Sequence, residues 1–294
     1  MKPIWLIGNP VSHSLSPSFQ NAALEYLNIQ AEYSVREVDA HQLGEIMTEM
    51  RSSTALGANI TIPYKTEVMQ YMDEIDPFAE KVGAVNTVLV ERYSSKTRLV
   101  GYNTDVRGII DPILNIGFQL TNARAVLLGT GGAAMSAFQA LESLDIAHVD
   151  IVARNTATAN EFANRPALMS VKIHDLNEIS YDGFATLIDS TDVIIQATPV
   201  GMISGLMPDG SPIPGNVLRH GLAAKSKETL IFELVYAPRE TLFLRLARDY
   251  GNGKVRHIEG LEMLLHQGAE SFKIWTGQSA PISIMRASLG LADV

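Results

Sequence analysis

Two ionisable side chains in this 294-residue chain each close a short polar motif of a kind suited to proton transfer. Lys65 ends Gly57-Ala58-Asn59-Ile60-Thr61-Ile62-Pro63-Tyr64-Lys65, and Asp105 ends Gly101-Tyr102-Asn103-Thr104-Asp105. Further along stands Gly129-Thr130-Gly131-Gly132-Ala133-Ala134, a glycine-rich loop of the kind that receives a dinucleotide. An ammonium and a carboxylate encoded near such a loop suggest an oxidoreductase acting on a hydroxyl or carbonyl. A neighbouring carboxylate favours the ammonium form of a lysine. Asp105 is therefore expected to orient Lys65 and hydrogen-bond the reacting hydroxyl, while Lys65 moves the proton.

The glycine loop gains its meaning from context, because it follows an apolar strand-like run and opens an Ala- and Leu-rich helical stretch. Gly129 permits the tight turn, Gly131 lets backbone N–H groups approach a pyrophosphate, and the small Ala134 allows close helix packing. The next strand ends in Ile151-Val152-Ala153-Arg154-Asn155-Thr156. Acids at that point read the ribose hydroxyls of NAD, whereas an arginine reads the 2′-phosphate of NADP. Arg154 is present and no acid follows it, which favours NADP and leaves NAD open.

Ser14 and Ser16 lie in Asn9-Pro10-Val11-Ser12-His13-Ser14-Leu15-Ser16-Pro17, at a predicted helix start. Two hydroxyls beside free backbone donors suit a carboxylate. Capping of the helix by Ser16 is the plainer alternative. The seven histidines are scattered without metal-ligand spacing, so no metal site is expected. His257 and Glu259 read as a polar surface pair.

Hydrophobic periodicity supplies the scaffold for these groups. Residues 4–7 form an apolar run ended by Gly8, which suits a buried parallel strand. Pro17 opens a predicted helix to Leu27. Residues 33–38 alternate as a strand, and residues 41–51 carry Leu43, Ile46, Met47 and Met50 on one helix face. A strand at 58–62 precedes a predicted helix after Pro63. Residues 84–90 and 99–102, flanking Ser94-Ser95-Lys96, read as a hairpin. Beyond a helix at 106–116, strands at 125–128, 149–152, 171–173, 193–196 and 230–234 alternate with helical or loop segments. Helices follow at 240–250, 261–275 and 282–289. Such alternation implies right-handed βαβ units and a parallel, doubly wound sheet.

Composition narrows the remaining classes. The chain is 46% hydrophobic and 19% charged, which predicts folding throughout. Its net charge of −9 argues against nucleic-acid and polybasic membrane contacts. The absence of cysteine excludes disulfides and thiolate chemistry. With no apolar run long enough to cross a bilayer, the chain is expected to be a soluble, cytoplasmic protein.

The motifs, taken in order, resemble those of the shikimate/quinate dehydrogenases along essentially the whole chain. They are Ser14–Pro17 as Ser-x-Ser-Pro, then 59–65, Gly83-Ala84-Val85-Asn86-Thr87, and 101–105. Ala197-Thr198-Pro199-Val200-Gly201-Met202 and Val235-Tyr236-x-Pro238 follow. Met263-Leu264-Leu265-His266-Gln267-Gly268-Ala269, with Phe272 and Trp275-Thr276-Gly277, closes the series. The resemblance implies an α/β chain of two domains: a substrate domain (residues 1–104 and 261–294) and a Rossmann NAD(P)-binding domain (residues 105–260). The active site would lie in the cleft between them. It implies Ser14, Ser16, Thr61, Asn86 and Gln267 around a cyclohexene or cyclohexane acid, with Lys65 and Asp105 at the reacting hydroxyl and Asn59 behind them. Gly129, Thr130, Gly131, Gly132, Ala133, Arg154, Asn155, Thr156, Thr198, Leu234, Tyr236 and Gly260 would hold the dinucleotide. The reaction implied interconverts shikimate and 3-dehydroshikimate, quinate and 3-dehydroquinate, or both, in aromatic amino acid biosynthesis or in catabolism. Family members occur as monomers and homodimers.

Two departures from the pattern bear on specificity. Gln20-Asn21 stands where the usual shikimate enzyme has His-Asn, as in the broad-specificity quinate/shikimate branch. Thr158 occupies the position of a second phosphate-binding base, and Thr156 that of the acid found in dual-cofactor members, so NADP is favoured only slightly over NAD. A dehydrogenase of a modified cyclitol acid such as aminoshikimate, or a non-catalytic quinate/shikimate sensor, are the alternatives. Retention of both Lys65 and Asp105 argues against the sensor.

Overall fold

In the computed structural model, which describes residues 1–94, 96–164, 167–223 and 225–292, the apolar N-terminal run forms β1 (Lys2–Gly8), buried from Ile4 onward. Helix α1 (Ser16–Tyr26) follows, then β2 (Ala31–Glu37), parallel to β1. Leu15 rather than Ser16 is the N-cap of α1 and no side chain caps it, so capping does not account for Ser16. Helix α2 (Leu43–Ser52) buries Leu43, Ile46, Met47 and Met50, as their spacing predicts. Strand β3 (Gly57–Ile60) pairs with the other side of β1.

The segment after Pro63 departs from its predicted helix. The chain passes a cis Ile62–Pro63 peptide, turns, and forms only a 3₁₀ segment at Glu67–Tyr71. The carbonyl of Lys65, which a helix would use internally, instead accepts from the backbone N–H of Val85 at 2.8 Å. Strand β4 (Glu74–Ile75) and helix α3 (Pro77–Val82) come next, both too short for periodicity to declare. Strands β5 (Thr87–Tyr93) and β6 (Lys96–Tyr102) pair antiparallel as the expected hairpin, whose turn residue Ser95 lies outside the described residues. The first sheet runs β2-β1-β3-β5-β6-β4.

Helix α4 (Asp105–Asn115) leads to an alternating series: β7 (Arg124–Leu128), α5 (Gly132–Ser143), β8 (His148–Ala153), α6 (Thr156–Ala163), β9 (Ser170–Asp175), α7 (Tyr181–Ser190), β10 (Val193–Gln196), α8 (Gly215–Ala223), β11 (Thr229–Glu233), α9 (Leu242–Tyr250) and β12 (Val255–Ile258). These strands pair in parallel in the order β12-β11-β10-β7-β8-β9. That is the doubly wound order, with its reversal between β7 and β10, where ligands of such sheets bind. Helix α9 begins at Leu242 because Thr241 caps it, accepting from Leu244 N–H.

Helices α10 (Gly260–Thr276) and α11 (Ile282–Ser288) end the chain. Two compact units result, Met1–Gly108 with Leu264–Val294, and Ile109–Met263. In the first, α11 packs on α1, and Trp275 Nε1 of α10 donates to Val88 O at 3.0 Å. A Cβ on Gly57 would lie 2.5 Å from that indole nitrogen, so only glycine lets β3 and α10 meet there. The second unit buries Val126, Ile194, Ile231 and Phe243 among its core. No described helix is long and apolar enough to cross a membrane.

Candidate functional site

Lys65 stands in the turn after β3, and its neighbour Tyr64 pins that turn by donating from its hydroxyl to Val38 O at 2.6 Å. Asp105 is the first residue of α4, and its backbone N–H donates to Asn103 Oδ1 at 3.1 Å. A carboxylate there faces the positive end of the helix. Lys65 Nζ donates to Asp105 Oδ2 at 2.5 Å; the lysine side chain is 21% exposed and the aspartate 6%. The lysine side chain is thus partly open, while the carboxylate it pairs with is held by protein donors.

Asn86, just before β5, supplies one of those donors. Its Nδ2 reaches Asp105 Oδ1 at 2.8 Å and Thr104 Oγ1 at 3.0 Å. Ser16 is buried beside the hydroxyl of Tyr33, which donates to Asn59 Oδ1 at 2.8 Å. Burial pushes the Tyr33 phenol up, with Ser16 pulling the other way. Ser14 is half-buried, and its Oγ accepts from Ser16 N–H at 3.2 Å. Half-buried Thr61 donates from its backbone to Ile7 O, and Gln267 is buried on α10 with Nε2 on Leu264 O.

The fold therefore joins Lys65, Asp105 and Asn86 directly. It links Asn59 to them through Asn86 and the hydroxyls of Thr87 and Ser271. Ser14, Thr61 and Gln267 share the unit but make no hydrogen bond to the ion pair among the described residues. Thr87, Thr104 and Ser271 join the group without having been singled out by sequence. The first two lie inside the quoted motifs, and Ser271 lies one helical turn after Gln267, which is the signal that marks them.

In the second unit, Gly129 adopts φ +105° between β7 and α5. A Cβ there would lie 3.0 Å from Thr198 Cγ2 and 3.1 Å from Ala197 O, so this turn packs directly on the loop after β10. A Cβ on Gly131 or Gly132 would meet nothing within 4 Å. Gly131 is the N-cap of α5, and no side chain caps the helix start. An open cradle of amides at a helix start, beside the strand-order reversal, fits a pyrophosphate. Arg154 is exposed at the end of β8. Asn155 caps α6, its Oδ1 accepting from Ala157 and Thr158 N–H. Thr156 opens that helix, and Gly260 abuts Leu234 and Val235, whose carbonyls lie 2.8 and 2.5 Å from a Cβ placed there. Tyr236 is half-buried, and burial raises its phenol.

Two polar strand ends near this cradle were likewise not singled out by sequence. Gln196 ends β10, its Oε1 accepting from Thr198 N–H and Oγ1 at 2.9 Å each. Fully buried Glu233 ends β11, accepting from Val235 N–H and Thr241 Oγ1, and burial pushes its carboxyl up to about 8. A polar residue closing an apolar strand is the available signal. Among the described residues no group of three or more His, Asp or Glu could hold a metal ion.

Comparison with known proteins matches three family models in order. Residues 6–88 match the shikimate dehydrogenase substrate binding domain, 113–202 shikimate / quinate 5-dehydrogenase, and 260–289 the shikimate 5′-dehydrogenase C-terminal domain. Shikimate dehydrogenase (NADP(+)) of Prochlorococcus marinus is 35% identical over 289 residues, covering 97% of this chain and 95% of its own. The chain belongs to the shikimate dehydrogenase family. Shikimate dehydrogenases are oxidoreductases, and solved structures of the family share the fold. Shikimate 5-dehydrogenase of Listeria monocytogenes, in complex with shikimate and NAD, superposes with a TM-score of 0.86 at 27% identity, covering 98% of this chain and 96% of that one. The Thermus thermophilus enzyme, in complex with NADP(H) and shikimate, gives 0.80 at 30% identity, covering 98% of each.

Proposed function

We propose that this chain interconverts shikimate and 3-dehydroshikimate with NADP, its first unit holding the acid and its second the dinucleotide. The observation that carries this is the Lys65–Asp105 pair, part-buried and backed by Asn86, in a chain of this family. When bound, the dinucleotide supplies the acceptor or donor of hydride. In oxidation the ring hydroxyl's proton passes to Lys65 Nζ as the carbinol carbon loses hydride; in reduction the Lys65 ammonium returns that proton to the developing alkoxide. Asp105 accepts from Nζ and so orients it. Ser14 and Ser16 would receive the carboxylate at the start of α1, with Thr61 and Gln267 on the ring hydroxyls and Asn86 behind Asp105. Gly129, Thr130, Gly131, Gly132 and Ala133 would cradle the pyrophosphate, and Arg154 the 2′-phosphate. Thr198, Leu234, Tyr236 and Gly260 would line the nicotinamide end.

A steady-state matrix of shikimate and quinate, each with NAD⁺ and NADP⁺, tests the reading. Turnover of shikimate with NADP⁺ is the expected result. Turnover confined to quinate would overturn the substrate, and turnover confined to NAD⁺ would overturn the cofactor.

A further inference from the structure

Asn86 serves Asp105 as a donor only while its amide points one way, and the backbone N–H of Thr104 and the hydroxyl of Thr87 together set that orientation. Its Oδ1 accepts from Thr104 N–H at 2.8 Å and from Thr87 Oγ1 at 3.0 Å, which leaves Nδ2 facing Asp105. Rotating the amide would set oxygen against the Asp105 carboxylate and N–H against N–H.

Behind Asn86 stands a triangle of hydroxyls. Thr87 Oγ1 lies 2.8 Å from Ser271 Oγ, Ser271 Oγ 3.0 Å from Thr104 Oγ1, and the two threonines 3.2 Å apart. Asn59 Nδ2 donates to both Thr87 and Ser271 at 3.1 Å, and Ser271 reaches Gln267 O at 3.0 Å. Thr87 and Ser271 are 0% exposed and Thr104 1%. Each hydroxyl gives one proton and can accept two. The three hydroxyl protons are shared among the triangle's edges, Asn86 Oδ1 and Gln267 O, while Asn59 Nδ2 donates from outside. No oxygen of the triangle is left without a partner. In a buried network that shares so few protons, losing one hydroxyl removes a donor that its neighbours cannot replace.

We propose that Thr87 and Ser271 are positioning residues: through the buried hydroxyl triangle, β5 and α10 hold Asn86 against Asp105 and so aim the carboxylate that pairs with Lys65. The proposal rests on reading Lys65 and Asp105 as the proton-transfer pair.

Thr87→Val keeps the shape and removes the hydroxyl, whereas Thr87→Ser keeps the hydroxyl. In the full chain, T87V should lower kcat for shikimate with NADP⁺ by about 10–100-fold with little change in KM, the scale expected for a small misplacement of a reacting group. T87S should keep most of the activity. Independently of turnover, the Asn86 side-chain amide signals, assigned by their loss in Asn86→Asp, should shift and exchange faster with solvent in T87V and not in T87S. Ser271→Ala, removing the hub from the helix side, is read by the same two measurements and decides the matter if T87V does not fold. Equal kcat loss in T87V and T87S, an unchanged kcat in T87V, or unmoved Asn86 signals would overturn the proposal. Were the wild type inactive on shikimate, the substrate reading would fail and the amide signals alone would decide the positioning.

Discussion

Lys65 Nζ lies 2.5 Å from Asp105 Oδ2, and the pair is asymmetric: the lysine is partly open while the aspartate is nearly enclosed. That asymmetry suits the roles proposed above, proton transfer at the lysine and orientation by the aspartate. Lys65→Ala should therefore lower kcat by about 10²–10⁴ while leaving the shikimate KM within a small factor. Steady-state kinetics at saturating NADP⁺ check it, and a near-wild-type kcat would remove Lys65 from the chemistry.

Arg154 is exposed at the strand end where the adenosine ribose of such folds is read. Replacing it with alanine should raise KM for NADP⁺ by about tenfold or more, the loss of one charge-assisted contact of roughly 1.5 kcal/mol. KM for NAD⁺ should change little. Equal changes for the two cofactors would show that Arg154 does not read the phosphate.

Glu233 makes stability depend on pH. Its carboxyl is raised by burial from 4.5 to about 8, so the folded chain holds a proton that the unfolded chain gives up. The associated stability is complete below about 4.5 and is lost as pH rises through about 8. Glu233→Gln should abolish this slope. Thermal unfolding of both proteins across that window would show the wild type losing ground to the variant as pH rises, and parallel curves would contradict it.

Gly129 combines φ +105° with a close approach to Thr198 and Ala197. Gly129→Ala should cost about 1–3 kcal/mol of backbone strain, read as a lowered urea midpoint. It should also weaken dinucleotide binding, since the turn aims the amides of α5. Gly131→Ala meets open space, so its urea midpoint should be far less affected. Matching midpoints for the two variants would refute the strain assigned to Gly129.

The parallel sheet was legible because its strands, such as 125–128 and 193–196, are near-continuous apolar runs separated by helical stretches. That pattern is local in the chain and survives any arrangement of the rest. The same holds for the glycine loop and for the apolar face of α2. Failures came where distant partners decide. No helix follows Pro63, because the Lys65 carbonyl is taken by Val85 N–H. For Ser16 the sequence left capping open beside a carboxylate site, and only the fold shows that it does not cap α1 and lies beside Tyr33.

Motif membership alone named Lys65, Asp105 and Asn86, but their joining in one hydrogen-bonded group is a property of the folded chain. Asn59 meets Ser271 across 212 positions of sequence, and no periodicity reports such a contact. Glu233 shows the same limit, since a glutamate ending a strand is unremarked until burial raises its carboxyl. Sequence by itself determined most of the parallel strands, the glycine loop after β7 and the chemical identity of the Lys65–Asp105 pair, because these depend on residue type and short-range spacing. Tertiary structure decided which donors face which acceptors and which charges are buried, because those depend on directions and solvent exclusion that only the packed chain creates.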